Sequence, residues 1–75
     1  MKLDNIEALI DSDGQITLGQ MRPVGCVAIA NDESSTLAML KRRPGESFIA
    51  LLERLDQAIK QAVEYDEFLD EVNAP

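Results

Sequence analysis

An α+β fold is predicted by three observations. Residues 24–30 form an apolar run containing the β-branched Val27 and Ile29, residues 46–64 repeat apolar side chains at helical spacing, and Pro44-Gly45 separates the two regions. The chain has 75 residues and a mass of 8.3 kDa, a size that fits one domain. A monomer this small buries roughly 62% of the surface its unfolded chain exposes, so a second subunit is expected to help close the core.

Along the chain, Leu3, Ile6, Leu9 and Ile10 fall at helical spacing and predict a short amphipathic turn or two. Asp11-Ser12-Asp13-Gly14 is a dense turn cluster. Residues 15–21 then alternate polar and apolar around Ile16, Thr17 and Leu18, the pattern of a half-buried strand. Pro23 and Gly25 interrupt that run, and residues 24–30 are expected as a covered strand. The cluster Asn31-Asp32-Glu33-Ser34-Ser35 has the residues of a helix start, while Lys41, Arg42 and Arg43 suit the negative end of a helix dipole. Together they predict a helix of about ten residues carrying Leu37 and Leu40 on its apolar side. From Ser47 onward, Phe48, Leu51, Leu52, Leu55, Ile59, Ala62 and Val63 share one face, predicting a helix over 46–64. The tail mixes Phe68, Leu69 and Val72 with Asp66, Glu67, Asp70 and Glu71, and either extends the helix or docks on a partner. The expected division is thus a 1–23 extension with a turn and strand, a 24–64 core and a 65–75 acidic tail.

Cys26 is the lone cysteine and histidine is absent, which excludes a disulfide framework and a Cys/His metal cluster. Cys26 itself, set among Val24, Gly25, Val27 and Ala28, has the surroundings of a buried inert thiol. Without a base to activate it, and in so short a chain, no enzyme is expected. The apolar runs are too short to span a bilayer and the acidic amino terminus lacks the plan of a signal peptide, so the expected location is the cytoplasm. The net charge of −7 argues against nucleic acid or anionic membrane for the chain as a whole, yet basic charge gathers at Lys41, Arg42 and Arg43.

The run Val27-Ala28-Ile29-Ala30-Asn31-Asp32-Glu33, followed by Leu37, Leu40-Lys41-Arg42-Arg43-Pro44-Gly45-Glu46-Ser47-Phe48 and Leu51-Leu52, resembles the ribbon-helix-helix (Arc/MetJ-type) DNA-binding proteins, antitoxin members above all. The resemblance covers about 40 residues and rests on pattern. It implies an intertwined homodimer with an antiparallel β-ribbon and two helices per chain, acting as a repressor or antitoxin on its own plasmid or operon promoter. Val27, Ile29, Leu37, Leu40, Phe48, Leu51, Leu52, Leu55 and Ile59 become the dimer core. The family's phosphate site at the second helix maps to Gly45, Glu46 and Ser47, where Glu46 is a departure. A further departure is that Cys26, Val27, Ala28, Ile29 and Ala30 lack base-reading side chains. Base reading then falls either to Gln15, Thr17, Gln20 and Arg22 or to backbone shape, with Lys41, Arg42 and Arg43 on phosphates.

Other readings stand beside this one. Lys41, Arg42 and Arg43 equally suit a helix end neutralising its own dipole. Residues 11–16 are similar to the middle of a calcium-binding EF-hand loop, but Leu9 and Gln20 occupy two ligand positions, so no metal and no cofactor are expected. The tail suits a toxin-binding arm or a solvated face. The alternative function is an acidic, dimeric protein-interaction module whose partner is a basic protein rather than DNA.

Overall fold

The computed structural model describes residues 2–73. In order they form α1 (Asp4–Asp11), β1 (Gln15–Met21), β2 (Gly25–Asn31), β3 (Thr36–Lys41), α2 (Phe48–Tyr65) and β4 (Leu69–Asp70). The strands lie in one sheet in the order β1-β2-β3-β4; β1, β2 and β3 form an antiparallel meander, and β4 adds parallel to β3.

This architecture replaces the expected ribbon-helix-helix. The ribbon strand β2 has neighbours on both edges, which leaves it no edge for a second chain, and the helix expected before Pro44 is strand β3. The turn chemistry explains the difference. Asp32 Oδ1 accepts the Ser34 and Ser35 N–H groups at 2.8 and 2.7 Å and both serine hydroxyls, while Asp32 N–H donates to the Ser35 carbonyl. The capping side chains are therefore spent on a β2–β3 turn, the competing use of Asp and Ser next to a backbone. Leu37 and Leu40 fit a helical period, but Ala38 and Leu40, both fully buried, reveal the strand's period of two.

Elsewhere the local signals hold. Pro44 and Gly45 occupy the centre of a turn closed by Glu46 N–H on the Arg43 carbonyl at 3.0 Å, with Gly45 at φ +78° where a side chain is strained. Ser47 then caps α2, its Oγ accepting the Ala50 N–H at 3.0 Å. At the far end Asp66 takes a left-handed conformation that stops the helix.

The core lies between one sheet face and the two helices. Ala28, Ala30, Ala38 and Leu40 from the sheet meet Leu51, Leu55, Ala58 and Ile59 of α2 and Ile6 and Leu9 of α1. Ile6 and Leu9, with Leu3 and Ile16 packed against that cluster, thus bring the segment expected as an extension into the core. Of the residues expected to fill an interior shared by two protomers, Leu40, Leu51, Leu55 and Ile59 are buried within a single chain, and Leu37 and Leu52 are partly buried against the same cluster. Phe48 is 52% exposed, since it sits at the first residue of α2, beyond the sheet-facing stripe. Ile29 is half-buried, while Val27 is buried outside the main cluster, on the sheet face turned from the helices.

α1 supplies no cap of its own, its N-cap position being Leu3. Asp56, buried in α2, serves instead: Oδ1 accepts the Asn5 and Ile6 N–H groups at 2.9 Å each, and Oδ2 accepts the Asn5 side-chain amide at 2.9 Å. A carboxylate at a helix start satisfies orphan donors and opposes the positive end of the dipole. At the other end, Gly14 N–H donates to the Leu9 carbonyl at 2.8 Å. A Cβ at Gly14 would lie 2.5 Å from Leu9 side-chain atoms and 2.7 Å from its carbonyl oxygen. Because Leu9 is itself buried, Gly14→Ala is expected to cost on the order of 1–3 kcal/mol in urea unfolding; an unchanged midpoint contradicts this packing.

Candidate functional site

Three surface regions gather chemically informative residues. The first is centred on Arg54, which projects from α2 toward the end of β3. Its Nε donates to Glu46 Oε2 at 2.6 Å and its Nη2 to Glu46 Oε1 at 2.9 Å and to the Lys41 carbonyl at 3.0 Å. Nη1 meets both oxygens of Glu71, at 3.2 and 2.9 Å. The planar fork of the guanidinium thereby joins α2, the end of β3, the turn after it and the tail. Glu71 also accepts the Lys41 N–H through Oε1 at 3.0 Å, while its own N–H donates to the Met39 carbonyl at 2.7 Å. The acidic tail therefore docks on its own sheet through β4 and Glu71, rather than extending α2.

This network holds charges in place. Arg54 holds the Glu46 carboxyl far below its ordinary 4.5, at about 2, helped by the Arg43 N–H that Oε1 accepts at 3.0 Å. The Arg54 guanidinium is shifted upward, first by Glu46 and then by Glu71. Asp32 is lowered by the Ser34 and Ser35 N–H groups, and Asp70 by the N–H of Asn73. For a carboxyl depressed in the folded state, the stabilisation is complete above the unfolded-chain value and is lost as pH falls toward the folded one. Thermal stability is therefore expected to fall between pH 4.5 and about 2, with a shallower fall in Glu46→Gln. Equal slopes for the two proteins would refute the Glu46 contribution.

The second region is a basic end. Arg22 lies in the β1–β2 turn, and Lys41, Arg42 and Arg43 leave β3 at the same end of the sheet, since Met21 pairs with Gly25 and Lys41 with Val27. The α2 N-terminus at Gly45 and Ser47 lies there too, and a groove runs along Cys26, Lys41, Arg42, Arg43, Gly45 and Ser47. Arg42 is already engaged, stacked 4.1 Å above the Phe48 ring centroid with Nε donating to the Glu46 carbonyl at 2.7 Å. Arg43 is largely exposed, 3.7 Å from Glu71. The basic triplet follows a strand instead of ending a helix, so neutralising a helix C-terminus is not its role. Gln15 and Thr17 lie on the sheet face turned from the helices and Gln20 on the opposite one, so the proposed base-reading side chains do not share a face. Cys26, expected buried, is half-buried against the core.

The third region was legible only as an acidic tail. Around the end of α2, Val63, Tyr65, Phe68 and Leu69 are exposed by 67, 61, 55 and 44%, interleaved with Glu64, Asp66 and Glu67. On one flank of α2 a groove passes between Ala8, Leu9, Leu37, Ile59 and Val63. On the other flank a shallow groove of 540 Å³ runs beside Gln57, Ala58, Gln61 and Leu69. Large apolar side chains left in water beside carboxylates form an amphipathic surface of the kind suited to binding.

Among the described residues, no group of three His, Cys, Asp or Glu side chains is placed to hold a metal ion, and no helix is long and apolar enough to cross a membrane. Comparison with protein-family models, curated proteins and solved structures finds no match for this chain. Any functional reading therefore rests on its own residues.

Proposed function

We propose that the protein is a non-catalytic interaction module that binds a basic, amphipathic segment of another protein at the end of α2. The observation that supports this reading is the exposure of Val63, Tyr65, Phe68 and Leu69 among Glu64, Asp66 and Glu67. The apolar side chains supply anchors whose burial is favourable, while the carboxylates attract a cationic partner and repel an acidic one. The test is NMR titration with a synthetic leucine-lysine helical peptide, its leucine-glutamate counterpart and duplex DNA. The expected outcome is amide shifts at residues 63–69 with the lysine peptide alone, weakened by salt and by Phe68→Ala. Equal response to both peptides, or none, overturns the reading.

A second reading keeps the DNA-binding role, on the observation that Arg22, Lys41, Arg42 and Arg43 share one end of the sheet. Contact there would be with phosphates, each adding about 0.9 to the salt dependence of binding. In the same titration, this reading requires DNA to shift the amides of Arg22 and of 41–43. It fails if those amides stay unmoved.

A further inference from the structure

The two edges of the sheet are built differently. The β4 edge is a two-residue strand ending at Asp70, beside the ion-paired Glu71, so it is short and charged. The opposite edge, β1, is seven residues long and reads Gln-Ile-Thr-Leu-Gly-Gln-Met, without a charge or a proline. Protein edges are commonly protected by one or the other, or by being short. In a chain of net charge −7, an uncharged edge of this length is where two copies meet with least repulsion.

The hydrogen-bond register shows what that edge offers. Arg42 N–H donates to the Cys26 carbonyl at 2.9 Å, so Cys26 and Ala28 direct their backbone groups to β3, whereas Val27 and Ile29 direct theirs to β1. Their partners Gly19 and Thr17 face β2. By the alternation of an antiparallel ladder, Ile16, Leu18 and Gln20 point their N–H and C=O groups outward. Leu18, midway along β1, is 42% exposed and ends a row whose other members, Ala28 and Leu40, are fully buried.

We infer that β1 is the pairing edge of a symmetric dimer, in which a second copy adds its own β1 antiparallel about a two-fold axis at Leu18. Leu18 then faces Leu18 of the second copy, Ile16 faces Gln20, and about six main-chain hydrogen bonds form from groups that otherwise point into solvent. The row Leu40–Ala28–Leu18 continues into its copy, covering the exposed leucine. The flanks agree electrostatically: this register sets Gly14 opposite Arg22 of the second copy, bringing Asp13 beside that arginine at both ends of the interface. The inference is independent of the peptide-binding reading, since it uses the other side of the molecule.

The axis supplies its own test, because residue 18 must meet itself. Sedimentation equilibrium is expected to give twice the 8.3 kDa chain mass for the wild type. Leu18→Lys and Leu18→Glu are each expected to be monomeric with an unchanged circular dichroism spectrum, because like charges then face each other. An equimolar mixture of the two is expected to regain the dimer mass, and Gln57→Lys, at an exposed α2 position beside Leu69 of β4 on the opposite edge of the sheet, to remain dimeric. A monomeric wild type, a dimer that survives Leu18→Lys, or a mixture that stays monomeric overturns the proposal. Should the substitutions unfold the chain, amide exchange of the wild type decides: slow, concentration-dependent exchange at 16, 18 and 20 supports the edge pairing, and free exchange there refutes it.

Discussion

Leu55→Ala is expected to destabilise the fold by about 2–5 kcal/mol, the range for emptying a fully buried leucine site. Leu55 is completely buried in α2, within the cluster that holds Leu51, Ile59, Ala28 and Leu40 together. A chain of this length has a total stability of only about 4–11 kcal/mol at the usual 0.05–0.15 kcal/mol per residue. One truncation thus removes a large share of it, and the sheet-facing alanines, already small, have no side chain to move into the gap. Urea unfolding followed by circular dichroism measures the loss. A change below about 1 kcal/mol would mean that the site collapses around the smaller side chain.

Asp56→Ala is the second large effect, expected to cost on the order of 2–3 kcal/mol. The substitution leaves the N–H groups of Asn5 and Ile6 without their acceptor at a buried helix end and frees the Asn5 side-chain amide. Asp56→Asn separates the contributions. Its oxygen still accepts the two backbone N–H groups, while its amide now faces the Asn5 amide and its charge no longer opposes the α1 dipole. An intermediate loss of about 1 kcal/mol is expected. Amide exchange over residues 4–11 should quicken in both variants; exchange that quickens uniformly across the chain would remove Asp56 from its specific role at α1.

Several elements were legible in sequence because their signals are local. The amphipathic spacing of residues 46–64 found α2 nearly to its ends, and the turn clusters at 11–14 and 44–45 found the boundaries of β1 and α2. β3 was not legible, because the four-residue apolar run inside it, with Leu37 and Leu40 three apart, satisfies both periods, and the residues before it cap helices and close hairpins equally well. Phe48 followed the apolar stripe but not the burial, since the stripe begins one turn before the sheet does. The roles of Asp56 and Arg54 had no local signal at all. Each looks like an ordinary member of a helix's polar face, and its partners lie far along the chain, at Asn5 and Ile6 for one and at Lys41, Glu46 and Glu71 for the other. The basic triplet is visible in sequence but its local setting is not, since a strand end and a turn place Lys41, Arg42 and Arg43 where a helix end would also put cations.

The distance in sequence between α1 and the carboxylate that completes it, 50 residues from Ile6, has a consequence for biosynthesis. α1 leaves a ribosome well before α2 and is left waiting until Asp56 has followed it, and in that interval it has neither its acceptor nor the apolar floor on which it rests. Its formation therefore waits on α2, so a nascent chain stalled short of position 56 carries an α1 segment that proteases can still reach.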